Sequence, residues 1–159
     1  MAEAVVRIAT DADIPALGRL GATLVEHHTA FDRRRFIAIA DAEAAYASFL
    51  RTQMRLHDAV VFVAEVNGAV VGYVFASIEP ESMKELRATA GFIHDVLVDP
   101  SARQASAGTR LIDAAIAWLR ERGVTRVMLW SAAQNLSAQR LFTRLGFRPT
   151  MVEMTRELD

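Results

Sequence analysis

The stretch Ile93 to Gly108, IHDVLVDPSARQASAG, runs directly into Thr109 to Gly123, TRLIDAAIAWLRERG, and together they decide the fold. With Gly91 and Phe92 ahead of it, the first part is a β-rich run that stops at Asp99-Pro100, since proline has no N–H to give to a ladder. A loop of small residues follows. Leu111, Ile112, Ala115, Ile116 and Leu119 then recur at helical spacing until Gly123 supplies the stop. A loop of small residues lets backbone N–H groups approach a ligand closely, and the helix N-terminus adds roughly half a positive charge, so this connection suits a phosphate or pyrophosphate. An ordinary strand-to-helix turn is the alternative on pattern alone, because the lysine of a phosphate-binding P-loop and the GxGxxG of a dinucleotide fold are both missing.

Working outward, residues 4–9 read as a short strand, and Thr10 with Asp13 at the capping-box offset opens a helix whose apolar face is Ile14, Leu17, Leu20, Leu24 and Val25. A looser stripe of Ala45, Phe49, Met54 and Leu56 predicts a second helix over about 41–57. VVFVAEV (60–66) and AVVGYVFASI (69–78) flank Asn67-Gly68, the strongest short-range hairpin signal. A charged connection, EPESMKELRATA (79–90), leads to the strand 91–98. Beyond Gly123, residues 124–131 read as a strand, Asn135 as the N-cap of a helix with Ala138, Leu141, Phe142 and Leu145 on one face, and 147–158 as a last strand. The expected architecture is one mixed α/β domain over 1–159, undivided by linker or repeat.

Composition narrows the function. In 159 residues with no cysteine, disulfide frameworks, zinc ribbons and cysteine nucleophiles are excluded. The 18 basic and 19 acidic residues nearly cancel, which argues against a nucleic-acid partner. No apolar run approaches the ~20 residues of a membrane span, and MAEAVVRIAT has no leader pattern, so the expectation is a soluble, cytoplasmic protein with no membrane partner.

At this point the residues carry a resemblance. The strand ending in Val98-Asp99-Pro100, then Arg103, two further residues, Ser106, Ala107 and Gly108, resembles the first signature of the GNAT superfamily of acyl-CoA N-acyltransferases. Serine stands where that family usually has its first glycine. Asn135, Ala138, Leu141, Gly146 and Phe147 match the second signature, with Phe142 in place of a tyrosine. The resemblance implies a central, mostly antiparallel sheet with a splayed strand pair and helices on both faces. It implies acetyl-CoA as acyl donor and no metal. The pantetheine arm would lie along Val96, Leu97 and Val98, and the pyrophosphate in the loop Arg103, Gln104, Ala105, Ser106, Ala107, Gly108 and Thr109, with Asn135 and Phe142 completing the cofactor site. Ser106 keeps an N–H and adds a hydroxyl, but a left-handed backbone there would strain the loop; the favoured reading is a serine simply compatible with it. Phe142 cannot protonate a departing thiolate as the family's tyrosine is thought to do, which leaves that proton to water.

The resemblance implies an acceptor amine, and direct transfer to it needs a proton acceptor, because an alkylammonium of pKa ~10 is neutral in only about one molecule per thousand at pH 7. His94 is the catalytic candidate; a histidine that merely hydrogen-bonds inside a pocket wall is the alternative. Strand alternation puts Phe92, His94, Val96 and Val98 on one face and Ile93, Asp95 and Leu97 on the other, apart from any bulge. His27 and His28 read as a solvated helix end, and Asp95 as structural. The function expected is acetyl transfer to a primary amine of a small molecule or peptide, possible as a homodimer; the alternative is a non-catalytic coenzyme A sensor or degenerate family member.

Overall fold

The computed structural model describes residues 3–159, with the backbone alone at 103–105. Its elements are β1 (Val5–Ile8), α1 (Ile14–Phe31), α2 (Ala42–Gln53), β2 (Ala59–Val66), β3 (Ala69–Glu79), β4 (Ala90–Val98), α3 (Ala107–Glu121), β5 (Val127–Leu129) and α4 (Leu136–Arg144). One five-stranded sheet runs in the order β1-β2-β3-β4-β5. The first four strands pair antiparallel and β5 joins β4 in parallel.

The local signals act as their chemistry dictates. Asn67 and Gly68 both take positive φ (51° and 79°), the geometry whose twist matches two antiparallel strands. The Asp13 carboxylate accepts from the Thr10 N–H at 2.8 Å, closing the entrance to α1 through a single 3₁₀ turn at Asp11–Asp13. Asn135 caps α4 by accepting from the Ala138 N–H at 3.2 Å.

Two apolar layers lie on opposite faces of the sheet. Leu111, Ile112, Ala115 and Leu119 of α3 and Phe142 of α4 pack on Val60, Ala64, Val74, Ala76 and Ile93. Leu17, Leu20 and Leu24 of α1 and Leu50 of α2 pack on Val61, Val63, Tyr73, Phe75 and Leu97. Because β2 and β3 are covered on both sides, they read as continuous apolar runs without alternation. Gly18 and Gly21 bring α2 close against α1: a Cβ at Gly21 would stand 2.3 Å from the Tyr46 ring, and one at Gly18 2.7 Å from the Glu43 carbonyl.

Three expectations are corrected. The second helix ends at Gln53 and buries Leu50 with Tyr46, Ala47 and Met54, while Ala45 and Leu56 face solvent. The strand expected over 124–131 is only Val127–Leu129, because β4 leaves it beyond Ile93, as described below. The segment 147–158 forms no strand. Pro149 has no N–H to donate, Met151 and Val152 are adjacent and do not alternate, and the three-residue β5 offers a short edge. An Arg35–Glu153 ion pair ties this segment to the turn after α1.

Candidate active site

The site begins with a register slip. Phe75 of β3 faces Asp95 of β4, but the next residue, Ala76, faces Ile93, so His94 is the extra residue of a β-bulge. A bulge shifts the side-chain period by one, and residues on either side of it keep different parity. Phe92 and His94 therefore share a face with Asp95 and Leu97, beneath α1 and α2, whereas Ile93, Val96 and Val98 pack toward α3. The alternation expected from sequence fails at this one residue: Asp95 stands beside His94, and Val96 and Val98 stand opposite it.

His94 is held between two rings, stacked on Phe75 at 4.7 Å and on Phe92 at 5.0 Å. Its Nε2 lies 2.7 Å from Ser77 Oγ, and Ser77 Oγ lies 2.7 Å from Glu79 Oε1. A carboxylate only accepts, so the serine's one proton goes to Glu79 and the serine oxygen accepts from His94 Nε2–H. The neutral imidazole then carries its lone pair on Nδ1. No hydrogen bond is made by Nδ1 among the described residues, and the His94 side chain is 30% exposed. Burial lowers the His94 pKa from its ordinary 6.5, with Glu79 acting in the opposite direction, and the ring is neutral at pH 7.

Beside it, the Tyr73 hydroxyl, fully buried, donates to Asp95 Oδ2 at 3.1 Å. Burial pushes the Asp95 carboxyl up from 3.8 to about 6, opposed by the tyrosine bond and by nearby His28. Burial also raises the Tyr73 and Tyr46 hydroxyls above their ordinary range, so both act as neutral groups. His28 is not a solvated helix end. Its Nδ1 bonds the Leu24 carbonyl at 2.9 Å and its ring meets Phe36 edge-on at 4.8 Å.

The segments expected to hold a coenzyme lie at the end of β4. The β4–β5 ladder covers only Gly91–Ile93 against Val127–Leu129, so the two strands part company where the bulge begins and Val96–Val98 continue without β5. Beyond a six-residue 3₁₀ segment, Ser106 takes φ 55°, ψ 21°, which is the left-handed conformation that glycine would adopt freely. The favoured reading of an undemanding position is thus corrected. Ala107 is buried, and a Cβ at Gly108 would come within 3.5 Å of Leu141 and 3.8 Å of Val98, so the start of α3 abuts both signature segments. Phe142 is 7% exposed and meets Phe147 edge-on at 6.0 Å. The side chains of Arg103, Gln104 and Ala105 lie outside the described residues. Among the described residues, no group of three or more His, Cys, Asp or Glu is disposed to hold a metal ion, and no helix is long and apolar enough to cross a membrane.

Sequence reasoning missed Ser77, Tyr73 and, as a partner of His94, Glu79. Their shared parity on β3 was a usable signal; which β4 residues they would meet depended on the bulge.

The sequence model of the acetyltransferase (GNAT) family matches residues 22–147. An uncharacterized N-acetyltransferase of Methanocaldococcus jannaschii is 42% identical over 86 residues, covering 54% of this chain and 38% of that protein. This chain therefore matches well under half of that relative's length. Among solved structures, the tetramutant of the BH1408 protein from Bacillus halodurans superposes with a TM-score of 0.84 at 20% identity, covering 97% of this chain and 99% of that one. The aminoglycoside acetyltransferase AAC(6')-Iy, solved with the bisubstrate analog CoA-S-monomethyl-acetylneamine, gives 0.78 at 19% identity, covering 99% of each. At these identities the two structures establish the fold.

Proposed function

The chain belongs to the acetyltransferase (GNAT) family, and from that premise we propose that it moves an acetyl group from acetyl-CoA directly to a primary amine, with His94 Nδ1 as the proton acceptor. The observation that carries this reading is the hydrogen-bond sequence Glu79–Ser77–His94, which fixes the ring's N–H on Nε2 and leaves the basic nitrogen, Nδ1, without a partner. The segments present fit the donor: the strands part beside Val96–Val98, and the connection into α3 turns through a left-handed Ser106 onto a helix N-terminus. The backbone of Val96, Leu97 and Val98, the loop Arg103–Thr109, Asn135 and Phe142 are the groups that would hold it. When bound, acetyl-CoA supplies the acetyl group as a thioester.

The chain's own work is the handling of protons. His94, neutral at pH 7, takes the proton of the incoming ammonium at Nδ1, while Ser77 and Glu79 keep the ring in one tautomer and stabilise the imidazolium that forms. The imidazolium returns its proton to water. With no cysteine in the chain, no thiol of the protein can accept the acetyl group first.

The test is thiol release from acetyl-CoA across a panel of primary amines, with wild type and His94→Ala. The expected result is turnover that falls about 100-fold or more in the variant, with KM for acetyl-CoA unchanged. Full activity in the variant removes His94 from the chemistry. Thermal stabilisation by coenzyme A with no thiol released by any amine replaces the enzyme with a coenzyme A-binding sensor.

A further inference from the structure

Five ring contacts link Tyr46 to Trp130 through His94. Tyr46 meets Phe49 at 6.1 Å, Phe49 meets Phe75 at 5.6 Å, and Phe75 stacks on His94 at 4.7 Å. His94 stacks on Phe92 at 5.0 Å, and Phe92 meets Trp130 edge-on at 5.4 Å. The middle of the row, Phe75 and Phe92, is buried at 5% and 8% exposure. Its flanks are open: Phe49 is 43% exposed and Trp130 70%. These are the two aromatic rings among the large apolar residues that stand exposed in the described chain, and both lie on this row. Between them sits the candidate base, its side chain 30% exposed.

We propose that the acceptor is an amine carried on an aromatic body, which lies against Trp130 with its ammonium directed at His94. The inference rests on the acetyltransferase reading and adds the substrate class. A ring offers the exposed Trp130 the offset and edge-on geometry that aromatic pairs favour. The positive end meets complementary charge, since Glu79 Oε1 is 3.3 Å from His94 Nε2 and Asp95 shares the same face. A polycationic sugar would cover the Trp130 ring with hydroxyl groups that find no partners there, and a short alkylamine would leave it wet.

The experiment uses the full chain and three probes: 2-phenylethylamine, n-propylamine and the polycation spermidine. Thiol release is followed for each with acetyl-CoA. Tryptophan emission is titrated with each amine alone, where exposed Trp130 reports and Trp118, 8% exposed, does not. The expected result is kcat/KM for 2-phenylethylamine at least about tenfold above the other two, a saturable emission change with that amine only, and a rise of about fivefold in its KM in Trp130→Ala, with KM for acetyl-CoA unmoved. If propylamine or spermidine is turned over as well as the aromatic amine, the inference is overturned and the acetyltransferase reading stands. A saturable emission change with no turnover of any amine keeps the aromatic row and removes the acetyltransferase reading. Neither turnover nor emission change removes both.

Discussion

Ser77 Oγ and His94 Nε2 stand 2.7 Å apart across two antiparallel strands, and the bulge at His94 is what brings them together. Without the extra residue, His94 would pair in register and Asp95 would turn to the other face. The serine is a positioning group in this arrangement, since it touches the ring and holds its tautomer. Ser77→Ala frees Nε2 to exchange its proton with Nδ1 and should lower kcat about tenfold without moving KM for acetyl-CoA. Ser77→Thr, which keeps a hydroxyl, should recover most of the loss, and a variant set in which alanine and threonine behave alike would deny the serine this role.

The pH response of the ring follows from the two opposing influences on it. Burial favours the neutral form and Glu79 favours the charged one, with burial the larger. A ring-proton NMR titration should give His94 a midpoint below the ordinary 6.5, and Glu79→Gln should lower it further, because the group favouring the charge is gone. The acid limb of kcat/KM should follow both midpoints. A midpoint above 7 in the wild type would make the ring mostly a cation at neutral pH and unfit it as a base.

Asp95 gives the opposite sign for stability. Its carboxyl is raised from 3.8 to about 6 in the fold, so between these values the native state binds the proton that the unfolded chain has released. Stability is fully present below about pH 4 and falls as the pH rises through 6, by about 3 kcal/mol at this shift. Asp95→Asn removes the charge and keeps an oxygen for the Tyr73 hydroxyl. At pH 8 it should melt higher than the wild type by about 8 °C, and at pH 4 the two should coincide. Equal melting at both values would show that the buried carboxylate costs the fold nothing.

How much of this was legible in the sequence depended on the range of the interaction that set each feature. Asn67-Gly68, Thr10 with Asp13, and Asn135 act within a few residues, and each does in the fold what its chemistry announced. The order of strands and helices up to α4 followed from periodicity and two motifs. The failures lie where distant partners decide. His94 was found as a residue type at a place on a strand, but its partners Ser77 and Glu79, and its neighbour Asp95, were hidden because a one-residue bulge inverts parity with no local mark in IHDV. His28 looked like a helix end in solvent until Phe36 folded back on it. The last strand failed because alternation is no substitute for an edge to pair with.

Ser106 shows how a departure from pattern can be weighed. A serine at φ 55°, ψ 21° holds a conformation that costs an L-residue about 1 to 2 kcal/mol, which glycine escapes. Glycine in turn gives the unfolded chain more freedom, worth about 0.4 to 1 kcal/mol against it. The strain is the larger of the two, so Ser106→Gly should stabilise the protein by about 0.5 kcal/mol and raise its melting temperature by about 2 °C. Coenzyme A, followed by calorimetry, should bind within twofold of the wild type, because the group this turn offers an anion is its backbone N–H, and glycine keeps it. A variant that melts higher yet binds coenzyme A fivefold more weakly would assign the contact to the serine hydroxyl, and the strain at this position would then be the condition that aims it.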